Sequence, residues 1–270
     1  MARITTGQLV LAGAHFGHLA RRWNPKMKDF VFSKKKNIHI IDLKKTVKQV
    51  DIACNAAMKI VGDRGKILFV GTKPQAKDLL KDEATRCGMN YVTERWLGGF
   101  LTNFQTIRKS IRFMEELEKK AVDGTYEKIS KKERLSIDRQ VAKLRKNLEG
   151  VRTMKVIPNA IYVVDTIKES IAIKEARKLG LPVFAIVDTN SDPSIIDYPI
   201  PANDDAFKSI GLITKVFGDS IVEAKEVANI KAADSNTGAN EGSEKSEADK
   251  KRRTPSRRPL KKRPEQTENK

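Results

Sequence analysis

Pro182–Ser209 reads PVFAIVDTNSDPSIIDYPIPANDDAFKS, and this stretch decides the fold. Val183 to Val187 is an apolar run rich in β-branched residues and too short for a helix. It predicts a buried strand of a parallel sheet. The strand ends at Asp188-Thr189-Asn190, where the chain turns polar. Pro193, Pro199 and Pro201 then exclude a helix until about Asp204. Asp204 is placed to N-cap a last amphipathic helix. Ligands of open α/β sheets bind beyond the carboxyl ends of the strands. The segment is therefore either an enzyme's acidic site or a rigid loop that fixes a binding scaffold.

The pattern of that strand recurs upstream. Lys66 to Val70 and Ala160 to Asp165 read as buried strands, and Met89 to Val92 as a shorter one. Helices are predicted between them. One follows a cap at Asp42 and runs to about Val61; another starts at Pro74, a residue suited to a first helical turn. A third spans Lys168 to Leu179 and closes at Gly180. The alternation breaks between Asn103 and Gly150. Ile107, Ile111, Met114 and Leu117 form one helical stripe, and a capping box at Ser130-Lys131-Lys132-Glu133 starts a second helix. Its stripe of Ile137, Val141, Leu144 and Leu148 has heptad spacing. The expectation is a helical hairpin over 103–150, projecting from an α/β domain made of 1–102 and 151–230, its seam satisfied internally.

Charge points to the partner. The chain has 270 residues and a net charge of +19. An excess of that size calls for a polyanion, nucleic acid first. Residues 1 to 48 alone hold 11 Lys and Arg against two acids. The charges concentrate in Arg21-Arg22-Trp23-Asn24-Pro25-Lys26 and in Lys34-Lys35-Lys36, the latter between two short apolar pieces that read as strands flanking a turn. Cations neutralise phosphates, and a flat ring can stack on a base. Arg95-Trp96 beside Gly98-Gly99 offers the same combination. After Ile230 the composition turns to Ala, Ser, Asn, Gly and acids, then to nine Lys and Arg within the 14 residues Lys250 to Arg263. Residues 231–270 read as a disordered basic tail. They carry a net +5, so the body keeps +14. No apolar run is long enough to span a bilayer. Two cysteines, Cys54 and Cys87, make no disulfide framework, which points to a reducing cytoplasm.

Six motifs, in order, carry a family resemblance. They are Gly13-Ala14-His15-Phe16-Gly17-His18, Arg22-Trp23-Asn24-Pro25-Lys26-Met27, Ile38-His39-Ile40-Ile41-Asp42-Leu43 and Phe69-Val70-Gly71-Thr72-Lys73-Pro74-Gln75-Ala76. Then come Arg95-Trp96-Leu97-Gly98-Gly99 with Leu101-Thr102-Asn103, and Asp188-Thr189-Asn190 through Pro199-Ile200-Pro201-Ala202-Asn203-Asp204-Asp205. Over about residues 1 to 228 the chain resembles the bacterial small-subunit ribosomal protein S2 family. The resemblance implies a three-layer, flavodoxin-like parallel sheet of order 2-1-3-4-5, with a protruding coiled-coil hairpin. It implies a structural place on the small ribosomal subunit, between head and body, against ribosomal RNA and neighbouring subunit proteins. It also implies help in bringing in ribosomal protein S1 where the organism has it. No cofactor, no membrane and no free homo-oligomer are expected, and the location is cytoplasmic and ribosome-bound.

The residues expected to meet RNA are Arg21, Arg22, Trp23, Lys26, Lys28, Lys34, Lys35, Lys36, Lys73, Arg95, Trp96, Asn103 and Arg108. Those expected to be structural are Gly13, His15, Gly17, His18, Asp188, Asn190, Pro199, Pro201, Asn203, Asp204 and Asp205. Two other chemistries are set aside. Asp165, Asp188, Asp192, Asp197, Asp204 and Asp205 near strand ends could hold Mg²⁺ for phosphoryl transfer, but no phosphate-cradling loop or nucleophile accompanies them. Gly71-Thr72-Lys73 lacks the spacing of a P-loop. His15-x-x-His18 is only half a zinc site, so no metal is expected. A free DNA-binding regulator would need a reading head that the sequence lacks.

Overall fold

The computed structural model describes residues 3–123 and 130–250. α1 (Thr6–Leu11) opens the chain behind a reciprocal capping box of Thr5 and Gln8. Three short strands follow: β1 (Phe16–Leu19), β2 (Val31–Lys35) and β3 (Ile38–Ile41) form an antiparallel sheet of order β1-β3-β2. The β2–β3 turn is Lys36-Asn37, with φ of 49° and 62°. Two consecutive positive φ values are what a tight hairpin turn needs to match strand twist.

α2 (Leu43–Gly62) starts behind Asp42, whose side chain accepts from Lys44 N. Then come β4 (Ile67–Val70), α3 (Pro74–Arg86), β5 (Asn90–Val92), α4 (Phe104–Val122), α5 (Lys131–Leu148), β6 (Ala160–Val164), α6 (Ser170–Lys178), β7 (Val183–Val187), β8 (Tyr198–Pro201) and α7 (Phe207–Lys250). The main sheet has the order β5-β4-β6-β7-β8 and is parallel throughout. Counted along the chain, its strands lie 2-1-3-4-5, the flavodoxin-like order.

Alternation along each strand builds the layers. Phe69, Tyr162, Phe184 and Ile186 face an apolar cluster with Val50, Ala53 and Ala57 of α2, Leu80 of α3, and Ile213 and Phe217 of α7. Leu68, Val70, Ile161, Val163 and Ala185 face the opposite cluster, with Ala172 and Ile173 of α6. With both faces covered, every residue of β4, β6 and β7 is buried, as a parallel sheet between helices requires. Phe69, Tyr162, Phe184 and Phe217 contact one another as rings, and Tyr162 Oη meets Thr214 Oγ1 at 3.1 Å.

Three local readings change. β8 forms through Pro199 and Pro201, which the sequence reading took only as helix breakers. It is an edge strand, so the missing N–H groups can face away from the single ladder to β7. The expected seam of α4 and α5 is not satisfied internally at its base. Ile107, Ile111, Met114 and Leu148 join the same apolar cluster as Val70, Trp96 and Ile161. The last helix, expected to end near Ala228, continues to Lys250, with no proline before Pro255 to stop it. The first compact unit closes at Ala228 and a second begins at Asn229. The basic run beyond Lys250 lies outside the described residues. No helix among the described residues is long and apolar enough to cross a membrane.

Candidate nucleic-acid interface

The carboxyl ends of β4, β6, β7 and β8 lead into Lys73, Asp165, Asp188 and Asp204-Asp205 respectively, and the chain fills this edge with its own side chains. Lys73 Nζ lies 2.9 Å from Asp204, 2.6 Å from Asp205 and 3.5 Å from Asp165. Burial works to lower the Lys73 ammonium, but Asp205, Asp204 and Asp165 outweigh it and raise it above its usual range. From β1, His18 sets Nδ1 3.0 Å from Asp188 Oδ2 and Nε2 3.4 Å from Asp205 Oδ2. The hydrogen bond to Asp188 raises the imidazole above its usual value, against burial. Burial first, then the charge of Asp188, pushes Asp204 up to about 7 despite Lys73.

Backbone contacts clamp the N-terminal segment onto this edge. His18 N donates to Thr189 Oγ1 at 2.9 Å, and Asn24 N donates to Thr189 O at 2.9 Å. Asn203 donates from its side chain to Gly13 O and from its backbone to Ala14 O. Gly13 has φ of +73°, and a Cβ on Gly17 would sit 2.5 Å from Thr189 Cγ2. Glycine is required at both places. The His15 ring packs tilted against Phe16 with centroids 4.0 Å apart, Asn190 accepts from Ser191, and Pro201 O accepts from Thr46. Asn203, not Asp204, closes the turn into α7: its Oδ1 accepts from Asp205 N and Ala206 N. Asp204 is turned inward to Lys73 and so is not the cap expected from sequence.

The basic residues beside this clamp have the opposite environment. Arg21 and Arg22 lie on a single 3-10 turn, Ala20–Arg22, and both are exposed. Ala20 N donates to Asn37 O at 2.8 Å, which fixes that turn beside the Lys36-Asn37 turn. Arg21 and Lys34 thereby line one groove with Leu19, Ala20 and Asn37. Lys28, Lys35 and Lys36 are exposed as well. Among the described residues these cations form no ion pair, and neither does exposed Arg95. Lys26 is exposed but engaged: its Nζ lies 2.6 Å from Asp192, and hydrogen bonds from Lys26 and then Ser194 hold that carboxyl down at about 2. Trp23 is half-buried, its ring 5.1 Å from that of His39.

Two expected RNA contacts point inward instead. Lys73 is the buried cation just described. Trp96 is 8% exposed, packs on Phe100, and donates from Nε1 to Glu175 Oε1 at 3.1 Å. Glu175 organises the whole Arg95–Asn103 loop. It also accepts from Gly99 N, Leu101 N, Thr102 N and Thr102 Oγ1, at 2.8 to 3.2 Å. Burial opposes its charge, yet the donors from Thr102, Trp96, Gly99 and Leu101 hold the carboxyl below its ordinary value. Neither ring nor ammonium is free for a nucleotide, because each satisfies a buried partner.

Other residues of the same two regions are more open. Phe32 on β2 is 74% exposed among the lysines of the hairpin. Asn103 is exposed and accepts from Thr106 Oγ1. Arg108 is half-buried, bonded to Met154 O at 2.8 Å, and lines a second groove with Phe104, Gln105, Lys109, Arg112 and Lys155. Arg108 was among the expected residues, and helical spacing could also have found Lys109 and Arg112 on its side of α4. Phe32 was hidden because an aromatic in a strand reads as core.

The chain matches the family model described as Ribosomal protein S2 over residues 9–224. It is 53% identical over 227 residues to "Small ribosomal subunit protein uS2" of Chlorobium chlorochromatii, covering 84% of this chain and 90% of that one. The protein of the same name from Chloroherpeton thalassium is 52% identical over 250 residues, 92% of this chain and all of that one. The one from Fusobacterium nucleatum is 49% identical over 245 residues, 90% of this chain and 99% of its own.

Proposed function

The chain belongs to the ribosomal protein S2 family, and from that premise we propose that it holds ribosomal RNA through the basic edge around β2 and β3. The family is a structural one of the small ribosomal subunit, not an enzyme family. Ribosomal RNA and neighbouring subunit proteins are the partners that follow. The observation that carries the RNA reading is the contrast in charge compensation. Arg21, Arg22 and Lys34 to Lys36 stand exposed and, among the described residues, form no ion pair, while Lys73 at the carboxyl edge of the main sheet is saturated by carboxylates.

Phosphate contact explains cations held in fixed positions without acidic partners, since backbone recognition needs charge and register more than base-edge donors. Phe32 supplies the flat ring for an unstacked base. A seat between head and body, and help in recruiting ribosomal protein S1, are the finer parts of the proposal. They are supported by family membership and by the motifs that carry it.

The test is binding of the full chain to small-subunit ribosomal RNA across a salt series. Replacing Arg21, Arg22, Lys34, Lys35 and Lys36 by alanine should reduce the slope of log affinity against log salt by roughly 3.5 to 4.5, at about 0.7 to 0.9 per phosphate contact. An unchanged slope rejects the assignment of these residues. Co-sedimentation with small subunits in a lysate gradient, and capture of S1 by those subunits, test the finer parts.

A further inference from the structure

We propose that His18, Asp188 and Asp204 bind one divalent transition-metal ion of the zinc class, at the carboxyl edge of the main sheet. Each offers one donor atom, and the three donors lie within 4.8 Å of one another. They come from three segments, the β1 strand, the end of β7 and the loop after β8. That is why sequence spacing did not reveal them: His18 joins Asp188 and Asp204, and His15, whose ring packs tilted against Phe16, is not one of the group.

The donor set selects the ion. One imidazole nitrogen with two carboxylate oxygens, leaving room for water, is a set that zinc and its first-row neighbours accept. Calcium and magnesium prefer oxygen alone, so the imidazole argues against them. The donors are also held in place. Asp188 is 0% exposed and Asp204 1%, and the His18 backbone is bonded to Thr189 Oγ1.

Charge is the second, independent observation. Asp165, Asp204 and Asp205 gather around one permanent cation, Lys73, and among the described residues Asp188, which accepts from Asp204 N, has its ion pair only with His18. His18 contributes a positive charge only while protonated. Buried carboxylates without matching cations are costly. A divalent ion cancels the excess. His18 would then coordinate through the nitrogen that now faces Asp188, releasing its proton to solvent. Lys73 would remain on Asp204 and Asp205 as an outer partner that orients them. Metal binding would tie β1 to β7 and the 203–205 loop, a role separate from RNA contact. Its failure would leave the RNA reading untouched.

The experiment uses the full chain, free of any histidine tag, stripped with chelator and dialysed. Zn²⁺ is added, excess is removed by gel filtration, and bound metal is counted by mass spectrometry. Melting is followed across the titration, and the visible spectrum of the Co²⁺ form reports the coordination directly. One ion per chain, a rise in melting temperature and a tetrahedral Co²⁺ band are expected. Outer-partner changes alone cost 10- to 100-fold in affinity, so His18→Gln or Asp204→Asn should weaken binding by at least about 100-fold. Asp204→Asn is the near-isosteric variant should His18→Gln fail to fold. No retained Zn²⁺ in the unaltered chain, or retention undiminished in the folded variants, overturns the proposal.

Discussion

Lys73 and the lysines of the β2–β3 turn are the same residue in opposite circumstances. Lys73 is 9% exposed and meets three carboxylates; Lys34, Lys35 and Lys36 are exposed and meet none among the described residues. One ammonium closes the edge of a sheet, and the others are left open to a partner. Lysine as such therefore says little about function. What separates the two roles is whether the chain supplies the counter-charge itself.

Removing each kind of charge should break the comparison in different measurements. Lys73→Ala leaves Asp204 buried without its partner, and the melt should record a loss of about 3–5 kcal/mol. RNA affinity of the folded fraction should keep its salt slope; a reduced slope would mean that Lys73 reaches RNA after all. Glu175→Gln is the next largest effect. An amide cannot accept all the donors that Glu175 holds, so about 2 kcal/mol should be lost in denaturant unfolding.

That variant also sharpens the comparison by pH. The Glu175 carboxyl is held below its ordinary value, so its contribution is complete above the unfolded value of about 4.3 and is lost as pH falls through the folded one. Stability of the parent should decline on acidification below about pH 4.3 more steeply than that of Glu175→Gln, measured by melts at stepped pH.

On the open side the expected effects are smaller and fall on binding. Phe32→Ala should weaken RNA binding by about 1–2 kcal/mol if a base stacks on the ring, with melting unchanged. Equal affinity would leave that ring without a nucleotide. Lys26→Ala lies between the two classes, since its ammonium is exposed yet paired with Asp192. Its effect on stability should stay below about 1 kcal/mol, because water screens such pairs.

The sheet was legible because each strand carries its own evidence. Val183–Val187 is apolar throughout and bounded by turn residues, so local pattern sufficed. The same local reading failed wherever a residue's partner lies far along the chain. Asp204 reads as a cap from its neighbours and becomes an ion-pair partner only because Lys73, 131 residues earlier, arrives beside it. Trp96 reads as a stacking surface and is buried because Glu175 on α6 takes its N–H. β8 was missed because two prolines argue against a strand, and only its place at the sheet edge removes the objection. Of the basic cluster, sequence located the charges; Lys26 alone needed the structure to show that Asp192 already holds it.

The clamp between His18 and Asp205 joins the two ends of the folded body, and this sets an order of events during synthesis. Residues 13 to 24 cannot be seated until Thr189, Asn203 and Asp205 have been made. At roughly 5–20 residues per second, the interval between residue 18 and residue 205 is about ten to forty seconds. Throughout that time the cationic arm exists without the residues that seat it. The arm's register is fixed only when the chain is nearly complete, so a nascent or truncated copy carries the charge without the geometry.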